Sequence, residues 1–160
     1  MSVLKAFKDK YEVEVIMELG SAVAWETGVL RSTILDIVEN GGVRTIIPDV
    51  SFTCHMPDTL EMPYRPKIQG TVDHRDSSNH LYRIGGVSCL AGDFLGEYAF
   101  ENKPKIGDNI IFEDMMHYTT VKTTTFNGIQ HPSIGVWRNE GFELLRPILF
   151  DFWLQEPLHK

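Results

Sequence analysis

The chain of 160 residues is poor in cysteine, with two thiols far apart, Cys54 and Cys89. They form no Cys-x-x-Cys pair, so neither a thiol metal site nor a dithiol redox motif is present, and with no export signal they read as reduced thiols of a cytosolic protein. The opening, MSVLKAFKDKYE, is charged throughout and lacks the apolar stretch of a signal peptide. No apolar run approaches the roughly 20 residues needed to cross a bilayer. Basic residues are outnumbered, 15 Lys and Arg against 22 Asp and Glu, and a net charge of −7 argues against a nucleic-acid surface, which needs a basic stripe. The same acidity suits either a cationic small molecule or plain solubility. The six histidines show no His-Glu-x-x-His and no Cys/His quartet, so no metal is expected, and His55 and His117 read as satisfied polar residues. Neither a Gly-x-Ser-x-Gly elbow nor a Gly-x-x-x-x-Gly-Lys phosphate loop occurs.

What the chain does have is enough apolar material for one core, 42% hydrophobic against 23% charged residues. Residues 3–11 place Leu4, Phe7 and Tyr11 at helical spacing. The β-branched run Val13-Glu14-Val15-Ile16-Met17 reads as a strand, and residues 22–26 after Gly20-Ser21 read as a helix. A helix–strand–loop–helix unit with no further alternation is expected to be the tail of an α/β domain whose earlier repeats are absent. Residues 1–28 are therefore assigned to that remnant and residues 29–160 to a β domain.

The β domain announces itself by short strands and turn signals. Residues 29–38 and 43–50 flank Glu39-Asn40-Gly41-Gly42, a hairpin turn. Residues 52–66 hold Pro57, Pro63 and Pro66 and are expected as an ordered loop. Short strands follow at 67–73 and 80–84 around a polar turn at 73–79, then at 109–112. The threonine-rich stretch 118–126 reads as a strand, and 134–137 with 142–145 as a last hairpin; residues 146–160 end irregularly and receive no role. This spacing points to a β-sandwich or barrel.

Three segments can carry chemistry. In Glu18-Leu19-Gly20-Ser21 a glycine before a helix lets backbone approach a phosphate, and a carboxylate at a strand end can meet a cationic ring nitrogen; the plain alternative is a turn with a solvated glutamate. In Gly85-Gly86-Val87-Ser88-Cys89-Leu90-Ala91-Gly92-Asp93 small residues surround a thiol able to donate a proton, or else a buried structural cysteine. In the third, Tyr118 precedes Phe126-Asn127-Gly128; its hydroxyl can serve a phosphate, or the ring can simply pack.

In this order and at these distances the three segments resemble fold-type III pyridoxal-phosphate decarboxylases, the ornithine and diaminopimelate decarboxylase group. The wording of Cys89-Leu90-Ala91-Gly92-Asp93-Phe94-Leu95-Gly96, of His55-Met56-Pro57-Asp58 with Leu60-Glu61-Met62-Pro63-Tyr64-Arg65-Pro66, and of Phe112-Glu113-Asp114-Met115 with His117-Tyr118-Thr119 is similar to the carboxynorspermidine/carboxyspermidine branch. The resemblance runs over about residues 13–137. It implies a C-terminal β-sandwich/Greek-key barrel domain joined to the last strand and helices of a truncated TIM-like barrel, with pyridoxal 5'-phosphate as cofactor, a carboxylated polyamine as substrate, and a homodimer whose sites draw on both subunits. It implies Glu18 at the pyridine nitrogen, Gly20, Ser21 and Tyr118 at the phosphate, Cys89 as proton donor across the dimer, and Asp93 and, by looser analogy, Asp49 at the substrate.

The departures are as informative. Proline is absent after Glu18, Ser21 stands where ornithine-type relatives carry arginine, and Leu90 replaces the acid that follows the cysteine there. No lysine matches the Schiff-base position, which belongs to the barrel half expected elsewhere, so the chain alone is expected not to turn over substrate. A diaminopimelate- or ornithine-type domain, or a non-catalytic β-module that binds a partner, remains open.

Overall fold

Asn40-Gly41-Gly42 turns the chain back on itself. Gly41 and Gly42 lie at φ 57° and 78°, a left-handed pair that side chains with a Cβ adopt only at a cost. The strands so joined are β1 (Leu30–Asn40) and β2 (Val43–Pro48), antiparallel with Ile37 opposite Ile46. Ser32 and Ile34 of β1 face the interior, and a bulge between Ile34 and Asp36 then shifts the inward phase by one residue, so that Ile37 packs on the core. A computed structural model of the chain describes residues 2–73, 80–139 and 141–146.

β2 runs parallel to β4 (His80–Gly85), with Thr45 opposite Arg83. Parallel neighbours cannot share a tight turn. The crossover between them carries the helical turns α2 (Phe52–His55) and α3 (Asp58–Glu61) and the short β3 (Thr71–Val72). Two further strands, β5 (Phe94–Phe100) and β6 (Asn109–Phe112), complete a six-stranded sheet ordered β3-β5-β4-β2-β1-β6 that curls into a half-barrel. β7 (Ile134–Arg138) and β8 (Gly141–Arg146) form a separate hairpin. The fold is mainly β, as composition and turn spacing predict.

The core fills the curl. Ile34, Ile46, Phe52, Tyr82, Ile84 and Phe112 are fully buried, with Phe52 edge-on to Phe112 at 6.1 Å between ring centres. Tyr98 is anchored there too. Its hydroxyl donates to the Pro66 carbonyl at 2.9 Å, the Arg65 guanidinium lies 4.0 Å above its ring centre, and burial pushes the phenol up to about 12. The proline-rich stretch is thereby stapled to β5.

Several local expectations change. The helix α1 (Ser2–Tyr11) is present. Residues 13–17, expected as a strand, make no ladder, because an extended segment needs a neighbour to take its N–H and C=O groups and none lies beside it among the described residues. The helix expected at 22–26 shrinks to a single 3-10 turn, Ser21–Val23. The threonine-rich stretch 118–126 is not a strand: it holds the turn α4 (Tyr118–Val121) and leads into a 3-10 turn, Phe126–Gly128. The strand expected over 67–73 is confined to β3 plus one bridge at Ile68, and the loop expected over 52–66 contains α2 and α3. The polar turn at 74–79, Glu140 of the last hairpin and residues 147–160 lie outside the described residues. Among the described residues no helix is long and apolar enough to cross a membrane, and no three His, Cys, Asp or Glu side chains gather as a metal site.

Candidate functional site

α2 is a single turn, and almost every polar group on it is committed. Ser51 caps it, its hydroxyl accepting from the Cys54 N–H at 3.2 Å. The Ser51 N–H donates in turn to Nδ1 of His55 at 3.2 Å. A backbone N–H can only donate, so Nδ1 carries no proton; the proton sits on Nε2, which donates to the Gln130 carbonyl at 2.9 Å. His55 is a buried, neutral imidazole tying α2 to a loop 75 residues downstream.

Burial is the main force holding the His55 pKa below its ordinary value; His131 pushes the same way, while the Gln130 carbonyl, Asp93 and Asp49 oppose it. A histidine with a depressed folded pKa takes up its proton more readily in the unfolded chain. Its contribution to stability is therefore complete above about pH 6.5 and is lost as pH falls below that value toward the folded pKa. The denaturant midpoint of the wild-type chain is expected to drop between pH 7.5 and 5.5 more steeply than that of His55→Gln. Equal slopes would show that this imidazole does not titrate the fold.

The loop between β4 and β5 rests on the same turn. Asp93 is buried, and its carboxylate accepts from the Thr53 N–H (3.0 Å), the Ser88 N–H (3.1 Å) and the Ser88 hydroxyl (2.5 Å). The carboxylate lies so close over Gly86 that a Cβ there would stand 2.3 Å from Oδ2, which is why this position is glycine. The Val87 N–H donates to the Val50 carbonyl at 3.1 Å. This packing presents Cys89 at the exposed tip, whereas Cys54 is fully buried.

A second loop descends on the other side of α2. The Thr124 N–H donates to the Cys54 carbonyl at 2.9 Å, and the Cys54 thiol lies 3.7 Å from the Phe126 carbonyl. Asn127 and Gly128 are then both left-handed, φ 57° and 75°. Asn and Gly are the residues that adopt this conformation most readily. The result is a contact between the loops: Nδ2 of Asn127 donates to Sγ of Cys89 at 2.7 Å.

A separate cluster forms at the N-terminal segment. An added Cβ at Gly20 would stand 3.7 Å from the Tyr118 hydroxyl oxygen, so the glycine, the neighbouring Ser21 at the start of its 3-10 turn and the phenol share one place. Trp25 stacks parallel to His117 at 6.2 Å between ring centres, and the Glu26 N–H donates to Asp114 at 2.8 Å. His117 does not behave as a satisfied polar residue. Its Nε2 stands 3.3 Å from Asp114 without hydrogen-bond alignment, and neither ring nitrogen has a hydrogen-bond partner among the described residues. Glu18 is exposed two residues before Gly20. Asp49, at the end of β2, accepts from the Ser32 hydroxyl (2.6 Å) and the Thr33 N–H (2.8 Å).

Of the sequence-level candidates, Gly20, Ser21 and Tyr118 thus fall into one group and Cys89 and Asp93 into another, with Glu18 two residues before the first and Asp49 held by Ser32 and Thr33. No hydrogen bond, ion pair or ring contact joins the groups among the described residues. Asn127 and His55 belong to the second group; named above only within a motif and as a satisfied polar residue, neither was given a role at the site. The signal for Asn127 is the Asn-Gly pair at 127–128, a left-handed signature as plain as the one at 40–42.

Comparison with known proteins agrees with this architecture. Residues 11–116 match the family model of the pyridoxal-dependent decarboxylase C-terminal sheet domain. The chain is 53% identical over 148 residues to carboxyaminopropylagmatine decarboxylase of Synechocystis sp., covering 91% of this chain and 38% of that protein. It is 43% identical over 144 residues to carboxynorspermidine/carboxyspermidine decarboxylase of Campylobacter jejuni, covering 84% and 37%. The crystal structure of carboxynorspermidine decarboxylase from Campylobacter jejuni, complexed with norspermidine, superposes with a TM-score of 0.83 at 38% identity over 96% of this chain and 44% of that one. The chain spans less than half the length of these relatives. Its curled sheet, its motifs and this match place it, through the C-terminal sheet domain, in the family of pyridoxal-dependent decarboxylases.

Proposed function

We propose that the chain supplies the sheet-domain part of a pyridoxal-phosphate-dependent lyase that decarboxylates a carboxylated polyamine of the carboxynorspermidine and carboxyspermidine class. The observation that carries this reading is the likeness, over nearly the whole chain, to a carboxynorspermidine decarboxylase structure solved with norspermidine. A barrel half, with the Schiff-base lysine, comes from outside these residues, residues 1–28 are its tail, and two copies complete each other's sites in the cytoplasm.

The residues present fit the cofactor. Gly20, whose missing side chain leaves the Tyr118 hydroxyl close to bare backbone, and Ser21 form a place for a phosphate with the phenol as donor. Glu18, exposed beside them, is the counter-charge for a protonated ring nitrogen. When bound, the cofactor draws electrons out of the bond that loses carbon dioxide. Cys89 Sγ holds the proton that takes the place of the departing carboxylate on the substrate carbon, leaving as thiolate for water to reprotonate. The Asn127 amide steadies that sulfur. Asp93 serves this step chiefly by holding the loop, since its oxygens are occupied by Thr53 and Ser88. Asp49 is the candidate for the distal amine.

The 53% identity to a carboxyaminopropylagmatine decarboxylase favours a second reading, in which the distal group is a guanidine. The test is carbon dioxide release by the chain joined to a complete barrel, offered carboxynorspermidine, carboxyspermidine, carboxyaminopropylagmatine, diaminopimelate and ornithine. Turnover of the first two above the rest supports the main reading, and preference for the third supports the guanidine. Release from the amino acids alone moves the chain to that branch, and release from none leaves a non-catalytic module.

A further inference from the structure

Cys89 and Asn127 come from loops 38 residues apart, and neither lies on a strand or an α-helix that would set their meeting. Both lie on residues 50–55. On one side Thr53 N–H takes Asp93 and the Val50 carbonyl takes Val87. On the other, Cys54 meets Thr124 and Phe126, and His55 meets Gln130. Asn-Gly adopts two successive left-handed residues readily, so what remains to be set is where the Asn127 loop lies: Thr124 pins its start, and the imidazole pins its far end.

We propose that His55 is a positioning residue for the Cys89–Asn127 pair, its Nε2–H fixing the Gln130 carbonyl so that the Asn127 amide is aimed at the thiol. The Nδ1 bond from Ser51 sets this tautomer, and no other ring orientation offers an acceptor to the Ser51 N–H and a donor to Gln130 together. His55 itself touches neither sulfur nor substrate; it acts at the distance of one loop. Only the importance of Cys89 is borrowed from the proposed function, and the geometry of the pair stands without it.

The test follows the alkylation rate of Cys89 by iodoacetamide in the chain, read by mass spectrometry of the Cys89 peptide, with buried Cys54 as internal control for unfolding. Asn127→Ala defines the change that loss of the amide produces, expected at about fivefold, the factor corresponding to one ordinary net hydrogen bond. His55→Asn keeps an acceptor for Ser51 but cannot reach Gln130, and is expected to change the Cys89 rate in the same sense and within about twofold of Asn127→Ala, by the same bond loss, with Cys54 still protected. His55→Gln keeps a terminal N–H and is expected to restore the wild-type rate. If Asn127→Ala shifts the rate while His55→Asn does not, His55 does not position the pair. If Asn127→Ala shifts nothing, there is no pair to position, which equally overturns the proposal. Should Cys54 react in His55→Asn, the Gln variant decides: a wild-type rate upholds the proposal, an altered one rejects it. None of these readouts involves turnover, so they stand apart from the decarboxylation assay.

Discussion

Asp93→Ala is expected to cost the chain about 3 kcal/mol or more, because three donors that share one buried carboxylate lose it together and each unpaired buried group costs roughly 1–3 kcal/mol. The donors are the Thr53 N–H, the Ser88 N–H and the Ser88 hydroxyl. Water cannot easily replace the acid, since Asp93 is 4% exposed. Asp93→Asn is the sharper probe: it preserves volume but turns an N–H₂ toward donors that need an acceptor. Gly86→Ala attacks the same site from outside, driving a methyl to 2.3 Å from Oδ2. Urea midpoints measure all three. A loss below about 1 kcal/mol for Asp93→Ala, no more than an average point substitution, would mean that the thiol loop does not depend on this acid.

Cys89→Ala is expected to act in the opposite manner, leaving stability intact and damaging chemistry. The side chain is exposed and its removal opens no cavity. In the chain joined to a complete barrel, correctly protonated product is expected to form about a hundredfold more slowly, the lower end of what a positioned proton donor contributes, while cofactor binding by absorbance is unchanged. Product analysis matters as much as rate, because a proton delivered to another atom would appear as a different product. An unaltered rate with an unaltered product would remove Cys89 from the mechanism.

How far these features were legible in the chain varies with the kind of signal. The β1–β2 hairpin was plain, because Asn40-Gly41-Gly42 names its own backbone geometry. α1, β6 and the last hairpin followed from periodicity and composition. β5 escaped notice because Gly96 sits in an irregularity of its pairing with β4, where Arg83 opposes Glu97 but Ile84 opposes Leu95, and the alternation is broken there. Residues 118–126 have the composition of a strand, yet Lys122 is drawn to Asp58 and Glu61 of α3, and the backbone closes on itself in α4 instead. Tertiary attraction overrode local preference.

At the site, spacing along the chain picked out the candidate side chains and gave no role to those that hold them. Cys89 stands in a run of small residues that is conspicuous in one dimension. His55 looks unremarkable there, being 75 residues from its partner Gln130, and nothing in its neighbours tells which of its nitrogens carries the proton. That assignment needs the Ser51 N–H in three dimensions.

Because β2 and β4 run side by side in the same direction, their ladder cannot zip up from a tight turn. The two strands must find each other across the intervening 49–79 span, and closing so long a loop is the slow, entropically uphill part of assembly. Phe52, within that span, packs edge-on to Phe112 of β6. A chain that has completed its sheet therefore carries α2 within the crossover, and the thiol and amide loops rest on that one turn.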